Sequence, residues 1–231
     1  MKFIKRLFFT LIFLGLIIGG WITWQGYTLY QQALEKTSLE QMEQTIRSSE
    51  HYTQLSQLPE IYINAVISAE DQRFYEHPGI DIIAIARAVW NDIKTFRFAE
   101  GGSTITQQLA KNMYFTQEKK LTRKVAEMFM AFKMEQEFDK DELLEFYVNT
   151  IYFGQNYYGI GNASLGYFGI SPKEMNDYQS TLLAGIPNAP SVYALNNNLD
   201  LASQRQQQVL NRMKKLGYLT DEEMKQILAA A

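Results

Sequence analysis

The 231 residues contain no cysteine, which excludes disulfides and thiolate metal sites. A domain of about 190 residues can bury a sufficient core without them. Histidine is nearly absent too, with two in the chain. His77 has acids nearby in Glu70, Asp71 and Glu76, but no second histidine stands beside it. Neither H-E-x-x-H nor EF-hand spacing occurs, so a metal triad is not expected. Ser-x-x-Lys, Lys-Thr-Gly and Gly-x-Ser-x-Gly are all missing, which excludes the serine acyl enzymes that use them. A Walker loop, internal repeats and hairpin signals are missing as well. Net charge is −3, so nucleic acid is not the expected partner.

Charge is also absent from residues 7–34, after Lys2, Lys5 and Arg6. The run "LFFTLIFLGLIIGGWITW" with its flanks reaches the ~20 residues a membrane-crossing helix needs. Trp21, Trp24, Tyr27 and Tyr30 stand where an interfacial aromatic belt would lie. No A-x-A site follows before Gln31, which disfavours a cleaved signal peptide. The expected layout is a basic cytoplasmic tail over 1–6, an anchor over 7–29, a polar juxtamembrane connector over 30–58 and a domain over 59–231. Basic residues before the anchor place the N-terminus inside and the domain on the extracytoplasmic side of the cell membrane, crossing once.

The domain reads as mainly α. Asp139 to Glu142, Ser171 to Glu174 and Thr220 to Glu223 carry capping-box patterns, and Pro172 takes the favoured first helical position. Leu121, Val125, Met128, Phe129 and Phe132 recur at helical spacing and form an expected apolar stripe. "EGGSTITQQLAKNMYF" reads as a loop entering a helix whose N-terminus is either simply capped or open to a phosphate. Lys111, Lys119, Lys120, Arg123 and Lys124 are the one dense cationic cluster outside the cytoplasmic end. They form a solvated face or an anion site. Arg123 and Glu127, at i,i+4 and pointing away from the stripe, form a surface pair or the wall of a polar cleft. Glu145 and Asn149 are a polar pair on an apolar helix, expected to bond a neighbouring backbone.

In chain order these stretches form five motifs. The first is Glu70, Asp71, Phe74, His77 and Gly79. The second is Gly102, Ser103, Thr104, Gln107, Gln108, Lys111 and Asn112. The third is Arg123, Lys124 and Glu127. The fourth is Lys140, Glu145, Tyr147, Asn149 and Gly154, with Leu143 and Val148 as mild departures. The fifth is "TLLAGIPNAPSVY", around Leu182, Pro187 and Pro190. Together they resemble the peptidoglycan glycosyltransferases, glycosyltransferase family 51, found as monofunctional membrane-anchored enzymes and in class A penicillin-binding proteins.

The resemblance implies a lysozyme-like, two-lobed domain that polymerises lipid II. The 4-hydroxyl of lipid II attacks the anomeric carbon of a lipid-linked glycan, and polyprenyl diphosphate leaves with inversion to a β-1,4 link. Glu70 matches the family's general base and Glu127 its second carboxylate. Lys111, Arg123 and Lys124 carry over as diphosphate contacts, with Lys119 beside them. Ser103, Thr104, Gln107, Gln108 and Asn112 join the substrate-binding set. Asp71, Phe74, His77, Gly79, Gly102, Glu145, Tyr147 and Asn149 are structural supports.

The stretch from Ile80 to Phe98 matches an apolar region that dips into the membrane, with Trp90, Phe96 and Phe98 as anchors or core fillers. Phe98 to Gly102 is an expected mobile loop. No cofactor is required by the residues, although family members often work better with a divalent cation (Mg or Mn). Expected partners are lipid II, the growing lipid-linked glycan, the membrane, and transpeptidases and other wall-synthesis proteins. The rivals are a glycan-cleaving muramidase-like enzyme and a non-catalytic anchored scaffold. The chain ends at "EEMKQILAAA" with no transpeptidase motif, which favours the monofunctional type.

Overall fold

The computed structural model describes residues 2–95, 102–116, 118 and 120–230. Twelve α-helices occur among them: α1 (Lys2–Lys36), α2 (Leu39–Arg47), α3 (Glu60–Glu70), α4 (Ile82–Thr95), α5 (Ile105–Tyr114), α6 (Leu121–Glu137), α7 (Lys140–Thr150), α8 (Ile160–Phe168), α9 (Asp177–Gly185), α10 (Pro190–Tyr193), α11 (Leu199–Lys215) and α12 (Asp221–Ala229). Among the described residues no strand forms beyond one bridge between Tyr152 and Tyr158. The mainly α class is therefore correct. Asp139 and Thr220 close their helices with reciprocal capping boxes. The Ser171 box instead opens a single 3-10 turn, Pro172–Glu174.

α1 is the one helix, among the described residues, that is long and apolar enough to cross a membrane. At ~1.5 Å per residue its length exceeds the ~30 Å hydrocarbon core, and its apolar N-terminal part fits a membrane anchor while its C-terminal part is partly buried against the domain. That part docks on α6. Gly26 lets the backbones approach, because a Cβ there would lie 2.6 Å from Val125 Cγ1. Tyr27 and Tyr30 pack their rings on Phe129, at centroid distances of 5.3 and 5.9 Å.

The stripe on α6 is consequently not the face that enters the domain core. Leu121 is largely exposed, Phe132 partly so, and Val125 and Phe129 face α1. The buried face is Ala126, Glu127, Met130, Ala131 and Met134.

Residues 30–58 behave as more than a connector, since Tyr30, Ala33, Leu39, Met42, Ile46 and Leu58 join the main core cluster. Glu145 and Asn149 of α7 fasten this segment. Glu145 accepts from Leu55 N at 2.7 Å, and from Arg47 at 2.9 Å; it also accepts from the Tyr52 hydroxyl. Asn149 accepts from Thr53 N and donates to Thr53 O, both at 2.8 Å. These polar groups bond a neighbouring backbone, which removes the cost of burying them unpaired.

Candidate active site

Motif residues from α3, α5 and α6 come together around Lys111. Asp71, just past the end of α3, organises the junction. Its carboxylate accepts the first N–H of α5, from Ile105, at 3.0 Å. It also faces His77 Nε2 at 2.9 Å. Gly79 N donates to His77 Nδ1 at 3.1 Å, which leaves the imidazole proton on Nε2, directed at Asp71. Phe74, fully buried, packs edge-on against His77. Gly79 has φ +91°, and a Cβ there would press Glu135 Cγ at 3.0 Å, so glycine suits the turn.

Thr104 and Gln107, expected in the substrate-binding set, form the cap of α5. Thr104 caps α5 by accepting from Gln107 N at 3.1 Å, and donates to Gly79 O at 2.7 Å. Gln107 Oε1 accepts from Thr104 N at 3.1 Å. Both side chains are buried. With Asp71 on Ile105 N as well, the N-terminus of α5 is closed by protein acceptors, so the capped-helix alternative holds over the open phosphate site.

The cations of the motifs gather instead as side chains of α5 and α6. Glu127 is 1% exposed and is held by Arg123 through a charge-assisted bond and by Lys124 at 3.0 Å. Arg123 also donates to Glu118 O. Lys124 bridges to Ser103 Oγ at 2.5 Å. Arg123 and Glu127 thus form a largely buried ion pair rather than an exposed surface one.

Lys111 lies within the field of both acids. Burial holds its proton affinity below that of an ordinary lysine, Glu127 and Glu70 oppose that effect, and Arg123 and Lys124 add to it. Glu70, at the last turn of α3, is fixed through Oε2 by Gln108 Nε2 at 2.8 Å. Gln108 Oε1 in turn accepts from Tyr147 at 3.4 Å.

Beside Lys111 opens a cavity of roughly 740 Å³, lined by Gln108, Asn112, Tyr152, Tyr158 and Asn188 among others. Asn112 is exposed there. Gly102 needs no special room, since a Cβ would meet only ordinary contacts at 3.6 Å. Lys119, Phe96 and Phe98 lie outside the described residues, as does the expected loop up to residue 101. On α4, Ile82, Ile83 and Trp90 project outward, Trp90 at 60% exposure, so Trp90 is not a core filler. Among the described residues no three carboxylate, imidazole or thiolate groups converge to hold a metal ion.

Motif reading missed two arginines of α11: Arg212, which donates to Ala69 O beside Glu70 at 2.7 Å, and Arg205, buried two turns earlier on that helix. Both sit in a polar, Gln-rich helix, where an arginine reads as surface.

The chain is an all-helical domain behind an apolar N-terminal helix, with two acids and two further cations of the motifs gathered about Lys111. The family model described as Transglycosylase matches residues 35–214, and the chain belongs to that family. Penicillin-binding protein 1A of Neisseria lactamica is 42% identical over 177 residues, covering 77% of this chain and 22% of that protein. The Neisseria cinerea protein of the same name is 43% identical over the same share of each. Penicillin-binding protein 1A of Aquifex aeolicus is 42% identical over 172 residues, 74% of this chain and 24% of its own length. The chain thus spans less than a quarter of these relatives.

Proposed function

We propose that the chain polymerises lipid II into glycan strands by inverting glycosyl transfer at the cleft between Glu70 and Glu127. The observation that carries this reading is the convergence on Lys111. Two carboxylates from separate helices and two further cations act on one ammonium group. Such a site suits a reaction in which one atom loses a proton while another gains negative charge.

Glu70 takes the proton from the 4-hydroxyl of the acceptor sugar. That oxygen forms its bond to the donor's anomeric carbon as the bond from that carbon to diphosphate breaks. The bonding electrons leave with polyprenyl diphosphate. Lys111, Arg123 and Lys124 stabilise the charge developing there, and cations fixed in advance do so without reorganising. Glu127 fixes Arg123 and Lys124 in place from the buried side. Ser103 and Gln108 hold Lys124 and Glu70 in register. The cavity lined by Asn112, Tyr152 and Tyr158 is of a size to take sugar rings of the bound glycan.

The anchor and α4 fit a substrate that cannot leave the bilayer. α1 crosses with its N-terminus inside, and the exposed Ile82, Ile83 and Trp90 dip into the outer leaflet near the cleft. No step is assigned to a metal ion. Transpeptidases and other wall-synthesis proteins are the proposed partners. The test is incubation of the purified chain with labelled lipid II, alongside Glu70→Gln. A glycan ladder that disappears in the variant supports the reading. Cleavage of finished glycan without polymerisation points to a hydrolase, and neither activity points to a scaffold.

A further inference from the structure

Glu70 is the last residue of α3, and a helix leaves its final carbonyls without intrahelical partners. The Asp71 N–H returns to Ile67 O at 2.9 Å. Among the described residues no backbone N–H reaches Ala69 O. That carbonyl accepts instead from Arg212 Nη1 of α11, at 2.7 Å. A guanidinium here also meets the negative pole of the helix.

The position of that carbonyl matters. Ala69 C and O lie in one planar peptide unit with Glu70 N and Cα, so the bond fixes the point from which the Glu70 side chain departs. The carboxylate end is held separately, through Oε2, by Gln108 Nε2 of α5 at 2.8 Å. Two different helices therefore hold Glu70 at its two ends.

α11 is a firm support for its share. Val209, Leu210 and Met213 are at most 1% exposed. Gln206, fully buried, donates to Tyr178 O at 3.0 Å and to Thr181 Oγ1 at 2.9 Å, both on α9. Gly185 of α9 leaves room for the Arg205 stem, since a Cβ there would lie 3.0 Å from Arg205 Cγ. Arg212 thus reaches α3 from a helix that is itself locked in the core.

We propose that Arg212 is a positioning residue for the glycosyl transfer, holding Glu70 where it can reach the acceptor hydroxyl. This rests on the reading of Glu70 as the base. A bond that only capped α3 would alter melting and leave turnover untouched. A positioning bond alters turnover of bound substrate, because misplacement by about 1 Å can cost a hundredfold in rate. Substrate affinity is spared, since the cations proposed to hold diphosphate sit on α5 and α6.

The test is kcat and KM for lipid II polymerisation by the full chain in detergent, with melting measured on the same samples. Arg212→Gln is expected to lower kcat and kcat/KM together, by about tenfold to a hundredfold, with KM unchanged. Arg212→Lys keeps a charged donor at the helix end and is expected to restore most of kcat. Lys215→Gln, exposed on the same helix, is the control and keeps the wild-type kcat. Arg212→Met retains an apolar stem without the donors, and decides the matter should Arg212→Gln not fold. Wild-type kcat in a folded variant that lacks the donors, or a loss carried by KM, overturns the proposal. Undiminished polymerisation by Glu70→Gln instead removes the base reading itself, whatever the α11 variants do.

Discussion

Gly26→Ala reverses the sign of an ordinary effect. Inside a helix, replacing glycine by alanine usually stabilises by up to ~1 kcal/mol. At Gly26 the new Cβ would stand 2.6 Å from Val125 Cγ1, 2.7 Å from Val125 Cβ and 2.9 Å from Thr122 O. Carbon atoms pack at about 3.5–4.0 Å, so α1 and α6 must part by about 1 Å. Val125 cannot rotate away from the clash, because its own Cβ is one of the contacts. Overpacking of this kind costs ~1–3 kcal/mol. Net destabilisation is ~1 kcal/mol, a fall of about 2–4 °C in Tm for a domain of this size.

Gly20→Ala is the control, since nothing lies within 4 Å of it. Thermal melting of the two variants in the same micelles compares them directly. Polymerisation is expected to fall with Gly26→Ala, because α6 carries Arg123, Lys124 and Glu127, and misplacement by about 1 Å can cost a hundredfold in rate. If Gly26→Ala melts with Gly20→Ala at or above the wild type, α1 does not brace α6 and the reasoning fails.

Two further perturbations probe other parts of the account. Lys111 works as an ammonium, and burial lowers its proton affinity. Rising pH should therefore remove the cation, and with it kcat/KM, earlier than an ordinary lysine would allow. Lys111→Arg, charged throughout, should abolish that alkaline limb; a limb that persists assigns it to another group. Asn149→Ala strips the partners from the buried Thr53 N–H and C=O. It is expected to cost ~2–3 kcal/mol in urea unfolding, and a loss below ~0.5 kcal/mol would contradict the fastening role of α7.

Much of the site was legible because its residues recur at motif spacings and its helices announce their own starts. Thr104, Asp139 and Thr220 all cap the helices their patterns predicted. Periodicity alone does not say which partner an apolar face meets. Leu121, Val125, Phe129 and Phe132 formed a genuine stripe, but one turned toward α1 and the surface, while the core took the narrower face of Ala126, Met130 and Met134. Residues 30–58 looked like a polar connector because so few of their side chains are apolar. Those few, Leu39, Met42 and Ile46, lie at helical spacing and are all buried.

Thr104 and Gln107 sit among ligand candidates and also form the capping box of α5. A capping box needs the same residue types, and only the fold distinguishes the two uses. Arg212 carried no local signal, since its significance comes from α3 crossing α11.

The central claim is that Glu70 accepts the acceptor's proton while the Lys111–Arg123–Lys124 wall receives the diphosphate. Measuring polyprenyl diphosphate release and glycan ladder growth in one reaction tests both halves together. The wild-type chain should produce them in step, and Glu70→Gln, of equal melting temperature, should produce neither. Diphosphate release without polymer, or a ladder that survives in Glu70→Gln, would contradict the account.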